Sequence, residues 1–244
     1  MKKLLLITIV LFISACQPAP AVATIEATKE IVATATTEIS PTEAVPTFPE
    51  ARTGKGKAVE PGIYQLPSWY DIPLTIQVPD GWRFIHLQKE TVFALVKGEN
   101  SLGDVNSWFG FLPIYDDDAV SFFEDFKSSP GLQQIGEAMD VTLAGLYPAT
   151  QLDMLALPNP DYAGDPAAGI LPGTQILHVL IQYTTPEDEN DFYWTTMTPE
   201  DRIRIFKVQL GDRTAILYIE APQADFDQFL MDVDAILGTM QPKL

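Results

Sequence analysis

One cysteine, two histidines and 33 acidic residues bound the chemistry open to this chain of 244 residues. A single cysteine cannot close an internal disulfide. Cys16 ends an apolar run and has no histidine near it in sequence. His86 follows Ile85, and His178 sits in Ile176-Leu177-His178-Val179-Leu180-Ile181. With no cysteine or second histidine close by, both read as strand residues of a core or sheet surface rather than as ligands or bases. No His-x-x-x-His, Cys-x-x-Cys or EF-hand pattern occurs, so no metal site is expected. The Gly-x-Ser-x-Gly elbow, the Walker loop and the dinucleotide fingerprint are also missing, so no catalytic residue and no cofactor is assigned. Paired carboxylates can hydrolyse glycosides, and 33 acids guarantee chance pairs; a carboxylate hydrolase is therefore the alternative reading. The remaining feature is Phe192-Tyr193-Trp194. It lies between Thr185-Pro186-Glu187-Asp188 and Thr198-Pro199-Glu200-Asp201, two tetrapeptides that each carry a helix-start signal. Three adjacent rings cannot all face one core. Phe192, Tyr193 and Trp194 are thus a candidate recognition surface for a protein or small ligand.

Charge narrows the field further. Fifteen basic residues against 33 acidic ones give a formal balance of −18, which opposes binding to a phosphate backbone, so no nucleic-acid partner is expected. Apolar runs of spanning length are absent beyond the N-terminus. At the N-terminus, Lys2 and Lys3 precede an apolar stretch of ten residues, Leu4 to Ile13, broken only by Thr8 and ending in Ile13-Ser14-Ala15-Cys16. A basic segment, a short apolar run and small residues form a secretory signal over residues 1–15. The ending resembles the lipobox of bacterial lipoproteins. That resemblance implies cleavage just before Cys16, a diacylglycerol thioether on its sulfur, and a place on the cell membrane or outer membrane, facing away from the cytoplasm. One acyl chain binds a bilayer reversibly, whereas two or more hold stably.

Residues 16–57 read as the lipidated cysteine and a disordered tether. Positions 17–57 contain eight Ala, eight Thr and five Pro, with no hydrophobic period long enough to build a face. The remaining stretch, 58–244, reads as one globular domain, long enough to bury about 70% of its unfolded surface. It carries nine of the basic and 28 of the acidic residues.

Within that domain the periodicity predicts strands at Leu74 to Val78, Trp82 to Leu87, Thr91 to Lys97, Ser107 to Ile114, Ala149 to Leu157, Thr174 to Thr184, Arg202 to Leu210 and Arg213 to Glu220. Gly211-Asp212 signals a tight hairpin between the last two. Ala119, Phe122, Phe123 and Phe126 make one helical face behind three aspartates. Phe226, Phe229, Leu230, Val233 and Leu237 make another, with Pro222 suited to its first turn and Gly238 to its end. Residues 128–138 read as irregular or briefly helical. The order, strands then helix then strands then helix, predicts an α+β fold: an antiparallel sheet flanked by helices.

The opening Pro73-Leu74-Thr75-Ile76-Gln77-Val78-Pro79-Asp80-Gly81-Trp82 resembles extracytoplasmic bacterial lipoprotein domains. So do the Gly145-Leu146-Tyr147-Pro148-Ala149 turn and the last strand, which runs through Ala221-Pro222 into a Phe226/Phe229 helix. The layout is similar to the Mog1/PsbP-like fold over most of residues 62–242. That resemblance implies binding and accessory roles and brings no catalytic residues with it. The function expected is a membrane-anchored, extracytoplasmic binding or accessory module, with an extracytoplasmic hydrolase as the alternative.

Overall fold

Alternating apolar residues build the long antiparallel strands of the described fold. The computed structural model describes residues 45–48, 56–67, 72–87, 92–97, 107–167, 170–184 and 196–243, all within a unit spanning Ala44–Leu244. In chain order come strands β1 (Lys57–Ala58), β2 (Gly62–Gln65), β3 (Leu74–Val78), β4 (Trp82–Leu87), β5 (Val92–Lys97) and β6 (Trp108–Tyr115), then helix α1 (Asp116–Lys127). Strands β7 (Leu132–Gln134), β8 (Met139–Leu143), β9 (Tyr147–Ala156) and β10 (Gln175–Ile176) lead to helix α2 (His178–Thr184). The chain ends with β11 (Thr196–Met197), β12 (Asp201–Leu210), β13 (Arg213–Pro222), α3 (Phe226–Leu237) and β14 (Gln241–Pro242).

Nine strands form one sheet in the order β1-β4-β5-β6-β13-β12-β9-β7, with β8 also pairing β9. Every pairing in it is antiparallel. Strand β13 lies at its middle and is buried almost throughout its length, because both faces of the sheet are covered. On one face α3 and the small sheet β14-β3-β2 pack through Phe226, Val233, Leu74 and Ile76 against Phe109, Leu217 and Ile219. On the other face α1 places Ala119, Phe122, Phe123 and Phe126 over Leu112, Ile205, Ile216 and Tyr218. Each buried ring contributes roughly 1.5–3 kcal/mol. One glycine is fixed by close approach: a Cβ on Gly110 would lie 1.8 Å from the Phe93 carbonyl oxygen of the neighbouring strand.

The α+β expectation therefore holds: an antiparallel sheet flanked by helices. Several local expectations do not. Thr174 to Thr184 is not a strand; it divides into the two-residue β10 and helix α2. A short continuous apolar run suits a buried strand and a buried helix equally, and packing against α1 settles it. The 128–138 stretch contains strand β7, held on the edge of β9. Pro222 closes β13, and Asp225 rather than a proline turn precedes α3. Thr198-Pro199-Glu200-Asp201 starts no helix. It is a turn in which the Asp201 carboxylate accepts from the Thr198 N–H at 2.9 Å and the chain passes into β12.

Part of the stretch expected to be tether up to residue 57 packs on the folded unit instead. Val45–Phe48 lies against β2, with a parallel bridge from Thr47 to Gln65. Phe48 is buried, its ring centroid 4.8 Å from that of Tyr64 and 4.9 Å from that of Phe93. Lys57 already belongs to β1. Composition averages over a window, whereas one phenylalanine and an open strand edge act locally.

Candidate functional site

Strand register sets the site. On the α1 face, β12 presents Asp201, Ile203, Ile205, Lys207 and Gln209 in turn, since side chains alternate along a strand. Opposite them on β13 stand Glu220 beside Ile203, Tyr218 beside Ile205, Ile216 beside Lys207 and Thr214 beside Gln209. One face thus runs from carboxylates at one end, through an apolar middle under α1, to polar side chains at the other. Helix α1 follows the same line. Its first residue, Asp116, accepts from the Thr214 N–H at 3.0 Å and pairs with Arg213 at 3.2 Å, while Phe126 near its end meets the edge of Tyr218.

At the acid end Glu220 is 6% exposed and Asp201 4%. Glu220 Oε2 accepts from the Tyr218 hydroxyl at 2.8 Å and from Trp108 Nε1 at 3.1 Å, and the two rings stack at 4.6 Å. Burial first, and the neighbouring Asp201 charge second, push Glu220 up to about 8. Burial likewise raises Asp201, to about 6, against the opposing hydrogen bonds from Thr198. A low-dielectric site disfavours two adjacent charges, so the pair holds a proton that two solvated carboxylates would release. A glycosidase pair must reach a substrate from both sides. Glu220 is buried, and the donors that reach its carboxylate are the indole of Trp108 and the phenol of Tyr218.

The opposite end is open. A trough of about 730 Å³ is lined by Asp140 and Thr142 of β8, Thr150 of β9, Lys207 and Gln209 of β12, and Thr214 of β13. Asp140 pairs with Thr150 and Thr150 with Lys207, so these three form one row across three strands. The Thr150 hydroxyl donates to Asp140 at 3.2 Å and the Thr214 hydroxyl to Gln209 at 3.1 Å. The Lys207 ammonium lies 5.0 Å from the Phe123 ring centroid, a cation–π position. It enters no ion pair among the described residues, unlike Lys97, Arg202, Arg204 and Arg213. Val120 of α1 and Pro148 of β9, both exposed, add apolar walls.

Of the residues singled out from sequence, Cys16, Phe192, Tyr193 and Trp194 lie outside the described residues. His178 is not on a strand; it opens α2 and is exposed. His86 stands on β4. Among the described residues no group of three His, Cys, Asp or Glu side chains is placed to hold a metal ion. No described helix is long and apolar enough to cross a membrane. Glu220 and the trough escaped sequence reasoning. Glu220 left a faint trace, as the lone acid of its strand, two residues from Tyr218 and four from Ile216 after an apolar run from Ala215. The trough left none, because Asp140 and Lys207 meet only through strand pairing.

No protein-family model matches the chain, and no curated protein sequence matches it. Among solved structures it is similar to a crystal structure from Bacteroides thetaiotaomicron VPI-5482, at 7% identity and a TM-score of 0.39 over 76% of this chain. The match takes in 50% of that protein, so the chain spans half its length. It is also similar to the solution structure of cyanobacterial PsbP (CyanoP) from Synechocystis sp. PCC 6803, at 10% identity and a TM-score of 0.38, over 75% of this chain and 92% of that one. Neither likeness assigns a function.

Proposed function

We propose that the chain is a membrane-anchored, extracytoplasmic lipoprotein whose folded part is a non-enzymatic binding or accessory module. One observation carries the anchoring. The sole cysteine closes Ile13-Ser14-Ala15-Cys16 behind two lysines and a ten-residue, largely apolar stretch. The Ala/Thr/Pro-rich stretch ahead of Val45 then acts as a spacer, and the partner membrane is reached through the lipid on Cys16. The contrast within the α1 face supports binding over hydrolysis: the Glu220 and Asp201 carboxylates are buried, and the open end is a polar trough. The layout, with one helix after the sixth strand and another after the thirteenth, supports a Mog1/PsbP-like arrangement. Phe192, Tyr193 and Trp194 belong to this reading as recognition residues, on their aromatic density within an acidic stretch.

Labelling cells with a radioactive fatty acid tests the anchor. The wild-type chain takes up label, and Cys16→Ala takes up none. Equal label on both proteins overturns the assignment. Replacing Tyr193 and Trp194 together by alanine tests the recognition residues. Melting shifts by no more than a few degrees if the rings serve binding, whereas buried rings would cost about 3–5 kcal/mol each.

A further inference from the structure

We infer that the trough between α1 and strands β8, β9, β12 and β13 binds an acidic saccharide unit, a hydroxyl-bearing ring with one carboxylate, and seats that carboxylate on Lys207. The inference deepens the binding reading and rests on it. The trough's volume, about 730 Å³, falls in the range of small-ligand sites. Its lining selects the ligand class. Three threonine hydroxyls and a glutamine amide, two of the hydroxyls already hydrogen-bonded within the trough, suit a ligand rich in hydroxyls rather than an apolar one.

Lys207 supplies the charge. It is half-buried, held over Phe123, and free of any carboxylate partner among the described residues. An ammonium in that position gains most from a ligand anion that reaches it. The chain's overall −18 does not forbid this, because distant charges are screened beyond about 8 Å at physiological salt.

Asp140 sharpens the class. Two strand spacings, about 9–10 Å, separate its Cα from that of Lys207 along the row through Thr150. A bare inorganic anion on Lys207 would be too small to span the row and would leave Asp140 and most of the threonines unused. An α-amino acid carries its two charges too close together to serve both ends of the row. A sugar ring with a carboxylate on one edge spans it, donating a hydroxyl to Asp140 and resting its carbon-bound face on Val120 and Pro148.

Calorimetric titration of the full chain in detergent, with glucuronate, glucose and inorganic phosphate as probes, tests the inference. Glucuronate is expected to bind at least about tenfold more tightly than glucose or phosphate, a difference of about 1.4 kcal/mol. Raising the salt should weaken it. Lys207→Gln should lose about tenfold in glucuronate affinity with a melting temperature within a few degrees of wild type, and Lys207→Arg, which keeps the charge, should retain binding. No heat with glucuronate, equal affinity for glucose, tighter phosphate binding, or an unaltered Lys207→Gln titration would each overturn it. These outcomes leave fatty-acid labelling and the capture of other partners untouched, so failure here is distinct from failure of the broader reading.

Discussion

The two ends of the α1 face use charged side chains in opposite ways. At one end Glu220 and Asp201 are buried, hydrogen-bonded by Trp108, Tyr218 and the Thr198 N–H, and raised in pKa. At the other, Lys207 and Asp140 stand in one row of an open trough and form no ion pair with each other. Both ends lie on neighbouring strands of one sheet, on the face that carries α1. What differs is the covering. The C-terminal half of α1 carries Phe122, Phe123 and Phe126 over the middle of the face, whereas its N-terminal turn, held by Asp116, leaves the far rows uncovered. A charge under such a lid must find partners inside the protein. A charge beyond it is available to a ligand.

That contrast can be broken most forcefully at Trp108. The indole covers Glu220, donates to it and stacks on Tyr218. Trp108→Ala should cost about 3–5 kcal/mol through cavity and lost packing, read as a lowered midpoint in urea denaturation. A loss below about 1 kcal/mol would mean that the acid end is not a packed interior.

The next largest effect concerns pH. A folded-state pKa of about 8 against an ordinary 4.5 means that native Glu220 still binds a proton that the unfolded chain has released. Folding stability then falls as pH rises from 4.5 through about 8, and Asp201 adds a fall in the same direction from 3.8 through about 6. Glu220→Gln keeps an acceptor oxygen but cannot ionise. Its stability should decline less over that window, so that the two proteins diverge with alkalinity in the mutant's favour. Parallel stability curves for the two proteins would show that Glu220 titrates normally. The smallest effect lies at the trough. Lys207→Gln should change stability by at most about 1 kcal/mol, since only a cation–π contact is lost. A loss as large as that of Trp108→Ala would make Lys207 a structural residue and erase the difference between the ends.

Much of the frame was legible in the sequence. The β12–β13 hairpin follows from period-2 alternation on both sides of Gly211-Asp212, and Gly211 has the positive φ that a glycine admits. The apolar faces of α1 and α3 follow from the spacing of their phenylalanines, all of which are buried. Strand β7 was illegible because its three residues are too few to show a period, and the pairing with β9 makes it a strand. Glu220 was one acid among 33 until a tertiary lid singled it out.

The sequence alone determined where β4, β5, β6, β9, β12 and β13 of the main sheet fall, where α1 and α3 lie and which of their faces turn inward. Those properties depend on neighbours within a few positions, where local geometry fixes which side chains share a face. It also carried the lipobox resemblance, which is a matter of residue order. Only the tertiary structure decided that Thr174 to Thr184 divides between a strand and a helix and that Phe48 joins the core. It alone decided, too, that Asp140, Thr150 and Lys207 stand in one row. Each of these depends on residues far apart in the chain. Which distant segment arrives to cover or pair a side chain is settled by the folding of the whole sheet, and burial, charge state and accessibility follow from that covering.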